Sequence, residues 1–193
     1  MIIQLKTDFM RGSIPPVSPT NGVFICGGAV RRWFSGKEKL SDIDVFAPTP
    51  QHHQDFLATL GKVQLLVETT NATTYEWEDK TIQLIKFYYP TLEAAIDSFD
   101  FNICQFGWTE EGVFATPEAI VGVLRNHLSV NKINPGFEAD SLRRAFKYQL
   151  KGFIPCAGTI RDLAMSFTGL EPAQIQAQIE MSPKGGKRLI RFD

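Results

Sequence analysis

Two glycines and two aspartates constrain this chain more than any other residues in it. The hydrophobic run Val23-Phe24-Ile25-Cys26 leads into Gly27-Gly28. A short helical pattern follows over Ala29-Val30-Arg31-Arg32-Trp33-Phe34, and after the polar stretch 35–41 a second hydrophobic run opens with Asp42-Ile43-Asp44-Val45-Phe46. In an extended strand successive side chains alternate faces, so Asp42 and Asp44 point one way while Ile43 and Val45 point to a core. Two carboxylates on one face repel each other, and a hard divalent ion such as magnesium is their natural partner. Backbone N–H groups at Gly27, Gly28 and the helix start can receive a triphosphate, because glycine lets the backbone come close to a ligand. Arg31 or Arg32 would neutralise further phosphate oxygens.

The 193 residues suit one domain, or a compact core with a small appendage, and leave no room for a second large substrate domain. A formal charge of −1 and a pI near 6.3 exclude a global basic field of the kind that binds long nucleic acid nonspecifically. Cys26, Cys104 and Cys156 lie far apart, without the paired spacing of zinc sites or disulfide scaffolds, and are expected to be buried thiols in a reducing compartment. The N-terminus lacks the pattern of a signal peptide, and no apolar run approaches the ~18 residues that span a bilayer. A cytoplasmic protein with no membrane partner is expected.

Along the chain, residues 1–22 start with a short apolar alternation and pass into Pro15 to Gly22, where Pro15, Pro16 and Pro19 forbid a regular element and an entry loop is expected. Gln51 to Leu60 has helical spacing at Phe56, Leu57 and Leu60, with His52 and His53 on the helix surface. Val63 to Val67 and Thr81 to Tyr89 have strand composition and are expected to be antiparallel neighbours across the polar region Asn71 to Lys80. A short helix from Pro90 to Phe99 precedes a strand Phe101 to Trp108, which a hairpin at Thr109-Glu110-Glu111-Gly112 joins to Val113-Phe114-Ala115. Helices are then expected over 118–128, 137–151, 158–167 and 172–181, before a basic tail at 184–191. Tyr75, Trp77, Tyr88 and Tyr89 read as sheet packing, with base stacking the alternative. The pattern predicts an α/β (α+β) fold: a core over 1–116 around a mixed central sheet, with a helical region over 117–193 packed on it.

A glycine pair at a strand-to-helix turn, followed at this spacing by Asp42-Ile43-Asp44 on the next strand, resembles the signature of the polymerase-beta-type nucleotidyltransferase superfamily. The similarity extends to the head and neck of tRNA CCA-adding enzymes. Gly27-Gly28-Ala29-Val30-Arg31 and Asp42-Ile43-Asp44-Val45 are similar to their first motif, and 137–148 followed by Lys151-Gly152-Phe153 is similar to their neck helix. The resemblance implies a third carboxylate from a later strand, with Asp100 the candidate and Asp97 the reserve. Asp42, Asp44 and Asp100 would then hold two magnesium ions, while Gly27, Gly28, Arg31, Arg32, Ser41 and the neck residues Arg143 and Arg144 would hold a nucleoside triphosphate.

The implied reaction is in-line attack of an acceptor hydroxyl on the α-phosphate, with release of pyrophosphate. An RNA or tRNA 3′ end is the first expected acceptor, and a protein or small molecule is the alternative, as in toxin-like or antibiotic-modifying members. A non-catalytic nucleotide-binding module is the third. Two departures stand out. Ser98-Phe99 occupies the place where the CCA-adding enzymes carry two arginines, and only residues 154–193 follow the neck-like segment, so templated CCA addition is not expected.

Overall fold

A computed structural model describes residues 1–6, 8, 11–12, 17–36 and 42–181. The first strand, β1 (Ile3–Leu5), falls on the short apolar alternation ahead of the proline-rich stretch and pairs at the edge of the sheet. Next come β2 (Phe24–Cys26), α1 (Gly28–Ser35) and β3 (Ile43–Phe46), as the hydrophobic runs require. Val30, Trp33 and Phe34 form the buried stripe of α1, and Gly36 ends the helix in the left-handed region at φ 68°, its N–H donating to Arg32 O at 2.7 Å.

Helix α2 (Pro50–Leu60) starts with proline at its first turn, where no intrahelical donor is lost. Strands β4 (Gln64–Glu68), β5 (Ala72–Trp77) and β6 (Lys80–Ile85) follow, then α3 (Leu92–Asp97), whose cap Thr91 accepts the Ala94 N–H. A 3-10 turn at Asn102–Cys104 leads to the hairpin β7 (Phe106–Thr109) and β8 (Gly112–Ala115). The remainder is α4 (Pro117–Arg125), β9 (His127–Leu128), α5 (Glu138–Leu150), β10 (Ile154–Pro155), α6 (Ala157–Ser166) and α7 (Pro172–Met181).

The main sheet has the order β1-β8-β7-β2-β3-β6-β5-β4. Its pairings are antiparallel except β3 with β6, which makes it mixed as expected. Ile43, Val45, Ile82 and Leu84 turn to the larger apolar cluster beneath α1 and α2. Cys26, Phe46 and Phe24 turn to a smaller one under α3. Asp44 shares the face of Phe46 and stands in register with Gln83 on β6. Gly107 lets α3 approach β7, since a Cβ there would collide with Leu92 Cδ1.

Three expectations about the elements themselves need correction. Val63 to Val67 and Thr81 to Tyr89 are not neighbours, because the polar segment between them is itself β5, pairing with β4 on one side and β6 on the other. Thr73, Thr74, Tyr75 and Trp77 supply the β-branched and aromatic side chains that suit a strand despite the segment's polarity. Phe101 to Trp108 is not one strand. The Asn102 side chain donates to the carbonyls of Glu118 and His127 and accepts the Ser129 N–H, an anchorage met by a 3-10 turn rather than a ladder. The helix after Pro117 stops at Arg125, because Asn126 turns left-handed at φ 52° and His127–Leu128 pairs in parallel with Ile154–Pro155.

His53 does not lie on the helix surface. It is 5% exposed, rests against Tyr88 at a ring separation of 5.6 Å, and its Nε2 has no hydrogen-bond partner among the described residues. Burial, followed by the nearby His52, pushes it down to about 4, against a bond to the Val45 backbone. Below pH 6.5 the unfolded chain takes up a proton that the folded ring refuses until about pH 4, so this site loses stability as pH falls through that window. Asp44 and Asp100, both raised, act in the opposite direction. The His53 contribution is therefore read as the stability difference between the protein and its His53→Leu variant by urea unfolding. That difference is expected to shrink by about 2 kcal/mol between pH 7 and pH 4.5, and a constant difference would refute the assignment.

Candidate functional site

The buried Asp100 and the half-buried Asp44 line one open cleft of about 610 Å³, floored by the sheet and walled by α5. Alternation on β3 delivers Asp44 to this face, and the segment entering the 3-10 turn delivers Asp100. Helix α5 contributes Ser141, Arg143, Arg144 and Lys147 at helical spacing, so one wall of the cleft is basic. Burial, followed by the charge of Asp42, pushes the Asp44 carboxyl up to about 7, while Arg144 and Lys147 pull it down. Lys147 is itself lowered, by burial and by Lys151 and Arg144 beside it.

Asp100 is committed to α5. Its Oδ2 accepts from Ser141 Oγ at 3.2 Å, and its Oδ1 lies 3.3 Å from Arg144 Nη2 without an aligned hydrogen bond. Burial raises its carboxyl, against the opposing influence of Arg144 and Ser141. Arg144 also donates to the Tyr148 hydroxyl at 3.3 Å. Arg143 forks onto Asp140 Oδ1 at 2.6 and 3.2 Å and stays exposed. The reserve residue Asp97 faces solvent and pairs with Lys132 at 3.5 Å.

The remaining expected residues are placed differently. Asp42 is exposed just before β3 and acts on Asp44 through its charge. Gly27, at φ 76°, is buried beside Asp44, where an added Cβ would lie 4.0 Å from Oδ2. Its N–H is already donated to Phe106 O at 2.8 Å and is not open to a phosphate. Gly28 begins α1.

Arg31 is 1% exposed and does not reach the cleft. Its Nη1 donates to Ile103 O at 3.3 Å, and its guanidinium sits 5.3 Å from the ring centres of both Tyr148 and Phe153. A carbonyl and two π faces compensate the buried charge and bolt α1 to the region after α5. Arg32 is half-buried on α1 and is likewise not among the cleft-lining residues. Ser41 and the basic tail lie outside the described residues. Among the thiols, Cys26 and Cys104 are buried, but Cys156 is half-buried, because it caps α6.

Among the described residues no group of three His, Cys, Asp or Glu converges as a metal centre. The donor chemistry fits a single hard cation at Asp42 and Asp44, where burial and mutual charge leave Asp44 under-compensated. Asp100 does not complete a second ion's shell as placed, because Arg144 and Ser141 already face its oxygens.

Sequence reasoning overlooked Lys147, Ser141, Gln83, Phe87 and Phe137, all of which line the cleft. Lys147 lies three and four residues beyond Arg144 and Arg143, so helical spacing carried a signal for it. Ser141, three residues before Arg144, carried the same signal, and nothing local marks the other three.

The fold is shared with solved nucleotidyltransferases at low identity. A CCA-adding enzyme in complex with CTP matches at 15% identity and a TM-score of 0.58, covering 82% of this chain and 43% of that one. A tRNA nucleotidyltransferase complexed with a primer tRNA and an incoming ATP analog matches at 15% identity and a TM-score of 0.56, covering 82% and 52%. The Thermotoga maritima CCA-adding enzyme complexed with tRNA matches at 15% and 0.53, covering 82% and 42%. The chain thus spans about half the length of the structures it matches. No curated protein matches by sequence. No helix among the described residues is long and apolar enough to cross a membrane. The profile of the family described as Gad2, Gabija anti-defense 2 family protein, matches residues 4–125, which is most of the sheet and the strands that carry Asp44, and the chain belongs to that family.

Proposed function

We propose that the protein binds a nucleoside triphosphate in this cleft and transfers its nucleoside monophosphate to an acceptor hydroxyl, releasing pyrophosphate. The observation that carries this is the placement of Asp44 opposite Arg143, Arg144 and Lys147, an acidic floor and a basic wall facing one cleft. The basic wall offers the triphosphate a bidentate and a point-charge partner, and Asp100 with Ser141 fixes Arg144 in place. The acceptor oxygen bonds to the α-phosphorus as the α–β phosphoanhydride bond breaks, pyrophosphate departing with the electron pair and the hydroxyl proton passing to solvent. Asp42 and Asp44 are the residues that would hold magnesium, which supplies Lewis-acid polarisation of phosphate oxygens when bound.

An RNA 3′ end, with tRNA the specific form, is the first acceptor, supported by the tRNA complexes among the similar structures. A protein or small-molecule acceptor is the second, supported by the family's description as Gabija anti-defense and by the net charge of −1. Incubation with each α-labelled nucleoside triphosphate, magnesium, and either total RNA or a protein lysate separates them. Label is expected in RNA. Label in protein alone selects the second acceptor class, and no label in any acceptor, small molecules included, overturns transfer.

A further inference from the structure

Two of the aromatic side chains that line the cleft have no role in the transfer chemistry. Phe87, in the segment after β6, and Phe137, at the start of α5, meet edge to face with ring centres 6.4 Å apart and an interplanar angle of 79°. Both line the cleft and both are exposed, at 43% and 45%. Two phenylalanines left in water forgo most of the free energy their burial would contribute. Their edge-to-face contact covers one face of one ring and leaves π surface for a planar ligand.

The cleft's polar lining includes two neutral amides, Gln83 and Asn71, beside the charged Lys132, Asp140 and Arg143. A side-chain amide carries donors and an acceptor together, the complement of a nucleobase edge and not of a phosphate. Gln83 sits in register with Asp44, and at most about 13 Å of extended chain separates it from Phe87. Along α5 the cleft runs from the Phe137 ring at the helix start to Arg144 and Lys147 about 10 to 15 Å further on, with the Gln83 amide beside Asp44 between the two.

From this division we infer that Phe87 and Phe137 form a stacking site for the nucleobase of the bound nucleoside triphosphate, with Gln83 and Asn71 reading its edge, an assignment that rests on the cleft binding a nucleotide. Charge holds the phosphates at one end and stacking holds the base at the other. Stacking is tolerant of base identity, so the rings set affinity while the amides set preference.

Calorimetric titration of the full chain with ATP, CTP, GTP, UTP and inorganic tripolyphosphate tests the division. Phe87→Ala and Phe137→Ala are each expected to weaken nucleoside triphosphate binding about tenfold and leave tripolyphosphate binding unchanged. Phe87→Tyr, which keeps the ring, is expected to retain affinity, and Gln83→Ala to alter the ranking of the four nucleotides. Equal losses for tripolyphosphate and nucleotide, or no loss from either alanine variant, would overturn the stacking site while leaving the proposed transfer standing. Failure of the unaltered protein to bind any nucleotide or tripolyphosphate would overturn both.

Discussion

Replacing Asp44 with asparagine is expected to lower nucleotide transfer by about a thousandfold or more, the equivalent of ~4 kcal/mol of transition-state stabilisation. The amide keeps the shape of the side chain and removes the anionic oxygen that would hold a cation. The same change relieves the charge repulsion with Asp42 and removes a carboxylate that burial penalises. The variant is therefore expected to unfold at a temperature equal to or above that of the unaltered protein. Loss of activity with retained stability separates a chemical role from a structural one. Thermal unfolding beside the labelled-nucleotide assay reads both quantities, and undiminished transfer by Asp44→Asn would remove Asp44 from the site.

Asp100 is expected to behave in the opposite manner. Asp100→Ala takes the counter-charge from Arg144 and the acceptor from Ser141, both on α5. Breaking a buried pair from one side typically costs ~3–5 kcal/mol. Arg144 keeps 30% of its side chain exposed, so the lower figure applies, about 3 kcal/mol. The melting temperature would fall by about 6–12 °C.

A second substitution makes the cause plain. Adding Arg144→Leu to Asp100→Ala is expected to recover part of the lost stability, because no uncompensated charge then remains at the α5 contact. Urea unfolding of the four members of this cycle measures the coupling. Strict additivity of the two single effects would show that Asp100 and Arg144 do not act as a pair. Activity would fall as well, since Arg144 would lose the contact that aims it into the cleft.

The contrast between these carboxylates also shows which parts of the site were legible in the residues. Asp44 stands in a hydrophobic run, and strand alternation alone predicts the face it takes, whereas Asp42 precedes β3, is exposed and is not among the cleft-lining residues. Arg143, Arg144 and Lys147 follow from helical spacing in the same way. Arg31 illustrates the failure of that logic. It sits one turn into the helix that follows Gly27-Gly28, where a phosphate ligand is expected, yet it turns inward to Ile103, Tyr148 and Phe153. Its partners lie 72, 117 and 122 positions away in the chain, beyond the reach of any local pattern. His53 fails for the same reason: the Val45 backbone and Tyr88 that enclose it come from other elements.

The sequence by itself determined the α/β class of the core, the strand-turn-helix that precedes the site, the face of β3 that carries Asp44 and the helical spacing of Arg143 and Arg144, because each is a short-range consequence of backbone geometry. Only the tertiary structure decided that Asp100 pairs with Arg144, that Gly27 spends its N–H on Phe106, that β5 separates β4 from β6, and that Phe87 meets Phe137 across the cleft. These depend on which distant surfaces come together when the apolar faces of sheet and helices are removed from water. The hydrophobic pattern requires that removal without specifying the partner of each polar group.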